Sequence, residues 1–297
     1  MVVQVSEFLY EGVSTRRLLD QIARQRGWDP ATFAPAQEEM ARMCQLANQA
    51  LERAWRFAPW PQLVLTARVL YRPGWSDAAA PYPEGEQVYW QGGYWEATQD
   101  DASDEPADSS PQWRRCEREM VCGISYVRYG IDEIDLARGV YALDPDMRED
   151  ARPLAAARTA WGAVVKKEPG RPFCARPYVR FRPLPPRLGS APWSAEAEYA
   201  RGDLVMGNDG ESYEARVANQ GVEPSLGAAA SDDTWAPRRC PRMFESYVVQ
   251  SAAAELATDD AGQAARRGQA DRELQLLAEA HFRQINDPAR AVTRVCR

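Results

Sequence analysis

The sequence predicts an α+β chain: a helical bundle drawn from both chain ends, a central antiparallel β segment, and two small three-stranded β modules. Three observations lead there. Apolar residues recur at helical spacing near both ends, β-like runs broken by prolines lie between them, and one segment occurs twice. The expected divisions are N-terminal helices and a first strand (1–72), a first small β module (73–116) and a central β segment (117–190). A second small β module (191–240), a C-terminal helical hairpin (241–287) and an extended basic tail (288–297) follow.

Each element has its local reason. Ser14 can cap a helix from about Thr15 to Arg26, Gly27 suits the left-handed stop, and Pro30 lies just beyond. A second helix begins near Pro35, a good first helical residue. Met40, Met43, Cys44, Ala47, Leu51, Ala54 and Trp55 line one face of it, and Glu38, Glu39, Arg53 and Arg56 sit where the helix dipole favours them. Pro59 and Pro61 end it. Strands are expected within Gln62–Tyr71, Ile124–Tyr129, Gly139–Leu143, Trp161–Lys167 and Tyr178–Pro183, with the prolines from Pro172 to Pro186 confining the last ones to edges or ends. Asp132, Glu133 and Asp135 beside Ile131 read as a loop or a solvated strand end. Near the C-terminus, Met243, Phe244, Tyr247, Val248, Ser251, Ala252 and Leu256 form one stripe. Asp259 and Asp260 read as a helix cap, and a longer helix carries Leu274, Leu277, His281 and Ile285 on one side.

Composition excludes several functions. The 297 residues are 45% hydrophobic, enough for a sizeable core. Acids outnumber bases 43 to 36, which argues against coating nucleic acid or an anionic membrane. Mean hydropathy is −0.54, and no apolar run approaches the ~20 residues of a membrane span. Met1–Tyr10, with Glu7, lacks the basic start and apolar core of a signal peptide. The six cysteines (Cys44, Cys116, Cys122, Cys174, Cys240, Cys296) fit neither a disulfide framework nor paired metal ligands, so a reducing compartment is expected during folding. One histidine, His281, rules out a histidine-rich zinc site and leaves little for a Ser-His device. Neither GxGxxG nor GxxxxGK[ST] occurs. No enzyme activity, cofactor or metal is expected.

The repeat is the most informative feature. Tyr82-x-x-Gly85-Glu86-x-Val88, a Gly92-Gly93 turn, Trp95-Glu96-Ala97, Pro106 and Trp113 make the first copy. Tyr199-x-x-Gly202-Asp203-x-Val205, an Asn208-Asp209-Gly210 turn, Tyr213-Glu214-Ala215, Pro224 and Trp235 make the second. The exits also look alike, Arg114-Arg115-Cys116 and Arg238-Arg239-Cys240. Glycine turns of this type close tight hairpins, and buried aromatics fill a core too small for aliphatics alone. Each copy resembles the small chitin-binding (type 5/12) carbohydrate-binding module. That family binds sugar with aromatics just after the aromatic-x-Ala strand, where this chain has Thr98-Gln99 and Arg216-Val217, so the resemblance implies the fold and not its binding residues. Trp90 and Trp95 are the remaining candidates for stacking on a glycan.

Outside the modules the chain resembles head-to-tail adaptor (connector) proteins of tailed bacteriophages, of the tubular tail protein type. Three stretches carry this: Cys44–Pro61, Gly139–Asp146 with the Arg/Pro-rich run to Arg187, and Tyr247–Leu256 followed by the long helix. The resemblance implies a structural virion protein at the head–tail junction, assembled in the host cytoplasm. It implies a homo-oligomeric, dodecameric ring bound to the portal protein above and to a tail tube or nozzle protein below, with DNA passing through its channel unread and no membrane involved. Arg290, Arg294 and Arg297 would form an arm that binds a partner. Residues 148–187 hold ten basic residues against three acids, so Lys166, Lys167 and Arg171 could face DNA or an acidic neighbour, or form a solvated surface. The alternative function is a carbohydrate-binding adhesion protein on the particle surface.

Overall fold

The computed structural model describes residues 12–29, 37–69, 74–82, 84–116, 122–126, 130–136, 138–145, 147–159, 162–165, 177–225, 234–257 and 259–285. Among these the helices are α1 (Thr15–Gln25), α2 (Gln37–Phe57), α3 (Glu245–Glu255) and α4 (Asp260–Ile285). The strands are β1 (Gly12–Val13), β2 (Leu65–Arg68), β3 (Gln87–Trp90), β4 (Gly93–Ala97), β5 (Trp113–Cys116), β6 (Cys122–Ser125), β7 (Ile131–Ile134), β8 (Val140–Tyr141) and β9 (Ala156–Arg158). They continue with β10 (Gly162–Val165), β11 (Tyr178–Pro183), β12 (Glu198–Tyr199), β13 (Leu204–Met206), β14 (Ser212–Ala215), β15 (Asn219–Gln220), β16 (Trp235–Arg238) and β17 (Cys240–Pro241). The described residues form two compact units, those within 62–184 and those within 12–61 together with 185–285.

The structure corrects the helical bundle expected from the two chain ends. Only four helices occur among the described residues, and most elements are short antiparallel strands in several small sheets. The protein is mixed α+β without being a bundle. The reason lies in α3, for which the sequence pattern suggests one apolar stripe. Tyr247, Val248, Val249, Ser251, Ala252, Ala253 and Ala254 are all buried, so the helix is covered nearly all round. It is a hub on which α1, α2 and α4 each pack. Small side chains allow that approach, and Phe244 just before it stands edge-on to Trp55 and Trp60 at 6.3 and 5.2 Å.

The hub holds its neighbours by polar contacts as well. Glu245 accepts hydrogen bonds from Arg17 Nε at 2.9 Å and Gln21 Nε2 at 2.7 Å, tying α3 to α1. Glu273 of α4 accepts from Ser246 and Gln250. Ser14 caps α1, its Oγ accepting from Arg17 N, and Gly27 follows at φ +78°. Asp259 caps α4 by accepting from Gly262 N at 2.6 Å. On α4 the buried residues are Ala270, Leu274 and Ala278, while Leu276 is 64% exposed.

In the other unit, two small sheets share one apolar core. The first runs β6-β10-β9, and the second β2-β11-β7 with β8 also on β11, all antiparallel. Val69, Ile124, Ile131, Ile134, Val140, Ala163, Val165, Val179 and Phe181 fill it. Pro183, which has no N–H for a ladder, ends β11 where the register shifts against β7.

Candidate functional site

Both copies of the repeat form three-stranded antiparallel sheets with the same order, β3-β4-β5 and β13-β14-β16. Their registers match: Val88 faces Trp95 and Ala97 faces Trp113 in one, Val205 faces Tyr213 and Ala215 faces Trp235 in the other. Tyr82 stands edge-on to Trp113 at 5.4 Å and Tyr199 to Trp235 at 5.3 Å. The closing indoles donate to backbone carbonyls, Trp113 to Asp104 and Trp235 to Val222.

The repeat is longer than its sequence signature. Trp75-Ser76 and Trp193-Ser194 occupy equivalent places. Trp75 N donates to Tyr89 O and Trp193 N to Met206 O, and the Tyr82 and Tyr199 hydroxyls bond the backbone of Ser76 and Ser194. The shared Trp-Ser pair upstream of each tyrosine was the available signal. The matching of the exits, in contrast, is off by two residues. Arg114 faces Glu96, whereas the residue facing Glu214 is Ala236, and Arg238 reaches Glu214 from two pairs further along.

The candidate glycan-stacking residues part company here. Trp95 is 6% exposed and belongs to the module core; its indole donates to Trp90 O and Arg115 lies over the ring at 5.9 Å. A ring so enclosed has no face to offer a sugar, which corrects that expectation for Trp95. Trp90 is partly buried, edge-on to Trp75 at 4.9 Å, with its indole N–H on Glu105. The more open aromatic is Tyr89, 44% exposed, 5.3 Å from Tyr94 across the β3–β4 pair. The second copy has Met206 and Ser212 in those positions, both buried.

Other charged candidates serve structure. Asp132 and Glu133 lie on β7, not in a loop, and both grip Arg182 of β11 at 2.9 Å. Arg182 and Asp132 are largely buried, so their charges are matched within the sheet. Lys166, Lys167, Arg171, Arg290, Arg294 and Arg297 lie outside the described residues, as does the side chain of His281. Burial pushes the Cys44 and Cys240 thiols up to about 12, which leaves them unreactive. Among the described residues, no group of three or more His, Cys, Asp or Glu side chains is placed to hold a metal ion, and no helix is long and apolar enough to cross a membrane.

One cluster went unread in the sequence because Asn208-Asp209-Gly210-Glu211 looked like a plain hairpin turn. Glu211, only 7% exposed, reaches a remote helix and accepts the Thr15 backbone N–H at 2.8 Å. Asp209 accepts from Glu211 N at 3.0 Å and from the Tyr213 hydroxyl at 2.5 Å. No protein-family model, curated protein or solved structure matches the chain.

Proposed function

We propose that the chain is a structural virion protein, a head-to-tail adaptor whose ring joins the portal to the tail and extends the DNA channel. The observation that carries this reading is the packing of α1, α2 and α4 on α3. The described residues within 12–61 and 185–285 belong to one unit, in which α1, α2 and α4 close on α3. The resemblance to tailed-phage connectors stands beside this packed unit, which is not a bundle. The 26-residue α4, about 39 Å long, adds to it, since its described buried residues lie along one side.

The test is mass by light scattering, for the protein alone and mixed with portal rings. A ring alone or on the portal is the expected result. A monomer under both conditions overturns the reading. Deleting residues 288–297, with Arg290, Arg294 and Arg297, abolishes attachment to the portal if that arm is the docking element.

A further inference from the structure

We infer that the tyrosine face of the first module docks on the arginine-bearing β sheet of a second copy, joining the acidic surface of one subunit to the basic surface of the next. This rests on the reading of the chain as a ring subunit and names the contact between its copies. Charge selects the pair. Residues 73–116 hold nine acids against two arginines, a net charge of −7, and residues 148–187 hold ten basic residues against three acids, a net charge of +7. The whole chain also carries −7, so outside the first module acids and bases balance. Opposite fields of this kind set partner and register, and two unlike surfaces in contact build a ring or a chain of copies rather than a symmetric pair.

The two modules, compared, locate the contact. Tyr89 and Tyr94 pair across β3 and β4 where the second module has Met206 and Ser212. In the second module the chain itself closes that face. Met206 and Ser212 are 6% and 0% exposed, Gly189 N donates to the Ser212 hydroxyl, and the Thr15 hydroxyl donates to the carbonyl of Arg238, which pairs with Ser212. In the first module the same face leaves Tyr89 44% exposed. A tyrosine pair suits the centre of an interface, apolar in body and polar at the tip. Glu84, Asp101, Asp104 and Asp108 are exposed acids of this module, and of the four only Asp108 is in an ion pair, a loose one with Arg115 at 3.9 Å. The receiving surface is the outer side of β11 and its neighbours. Arg180 alternates with the core residues Val179 and Phe181, so it points outward. Arg152 adjoins Pro153, which bridges to Tyr141 of β8. Arg148, Arg152 and Arg180 are exposed and make no ion pair among the described residues. Acids and arginines of one chain thus leave each other unpaired, and a second copy supplies both partners.

The test uses the full-length protein under the condition, alone or on the portal, in which the wild type assembles. One variant inverts the module (Glu84→Lys with Asp108→Lys) and another inverts the sheet (Arg152→Glu with Arg180→Glu). Sedimentation velocity should show each alone associating at least about tenfold more weakly. An equal mixture of the two should assemble again, since every junction in it then joins opposite charges. Tyr89→Ser should lose assembly at an unchanged melting temperature. Raising salt from about 0.1 M to about 1 M should dissociate the wild type, because the screening length falls from about 10 Å to about 3 Å. Single inversions that assemble normally, a loss that mixing leaves unrepaired, or full assembly of Tyr89→Ser overturns the inference and leaves the ring reading standing. A wild type that is monomeric alone and with portal overturns both. A wild type insensitive to salt overturns the inference even if a variant fails to fold.

Discussion

Ala252, Ala253 and Ala254 provide the sharpest test of the α3 hub. These three consecutive residues fan over about 200° of the helix. An ordinary surface helix would leave at least one of them facing water, yet all three are buried at 1% exposure or less. Replacing each singly by Leu adds three carbons. A site with spare room would gain about 2 kcal/mol from burying them. A filled site loses about 1–3 kcal/mol instead, because neighbours must leave their rotamers or the helices must move apart. The hub predicts the loss at all three positions, since α1, α2 and α4 already pack on this helix. Ala265→Leu on the exposed side of α4 is the control and should change stability by less than about 0.5 kcal/mol. Urea unfolding followed by helical circular dichroism measures each difference. One neutral or stabilising substitution among the three refutes the hub.

Other outcomes follow from single contacts. Tyr82→Phe and Tyr199→Phe should each cost about 1 kcal/mol in urea unfolding, because each hydroxyl serves the same serine backbone in its own copy; unequal losses would break the equivalence. A Cβ on Gly189 would lie 2.7 Å from Val205 N, so Gly189→Ala should destabilise by about 1–3 kcal/mol, whereas Gly268→Ala on α4 meets nothing within 4 Å and should stabilise by up to ~1 kcal/mol. Arg182→Met leaves the Asp132 carboxylate largely buried without this partner and should cost about 3 kcal/mol, while Glu133→Gln, at the more exposed pair, should cost less than about 0.5 kcal/mol. In the native protein at pH ~8, Cys44 and Cys240 should resist alkylation that they undergo once urea unfolds the chain; rapid native labelling of either would contradict their burial.

What could be read from the sequence was local. Ser14, Gly27 and the Met43-to-Trp55 spacing act within one or two turns, so α1 and α2 were legible, as was β11 at Tyr178–Pro183. The repeat was legible because its tyrosine, glycine and tryptophan positions recur in the same order. What escaped depends on distant partners. Acidic β7 is a strand because Arg182 neutralises it from fifty positions away. The full burial of α3 shows only when three other helices surround it, since Val249 and the alanines signal no face of their own. Trp90 and Trp95 stand five residues apart with equal claims on paper, and only the pairing of β3 with β4 sends Trp95 inward. Glu211 looked like a turn residue because its partner is 196 positions upstream.

The packing of α1 and α2 on α3 leaves their apolar faces uncovered until late in synthesis. About 190 residues separate the end of α2 from the start of α3, which at ribosomal speed is on the order of ten to forty seconds. Throughout that interval Leu18, Ile22, Leu51 and Trp55 have emerged without the helix that later covers them, and a nascent chain so exposed is a natural client for a chaperone.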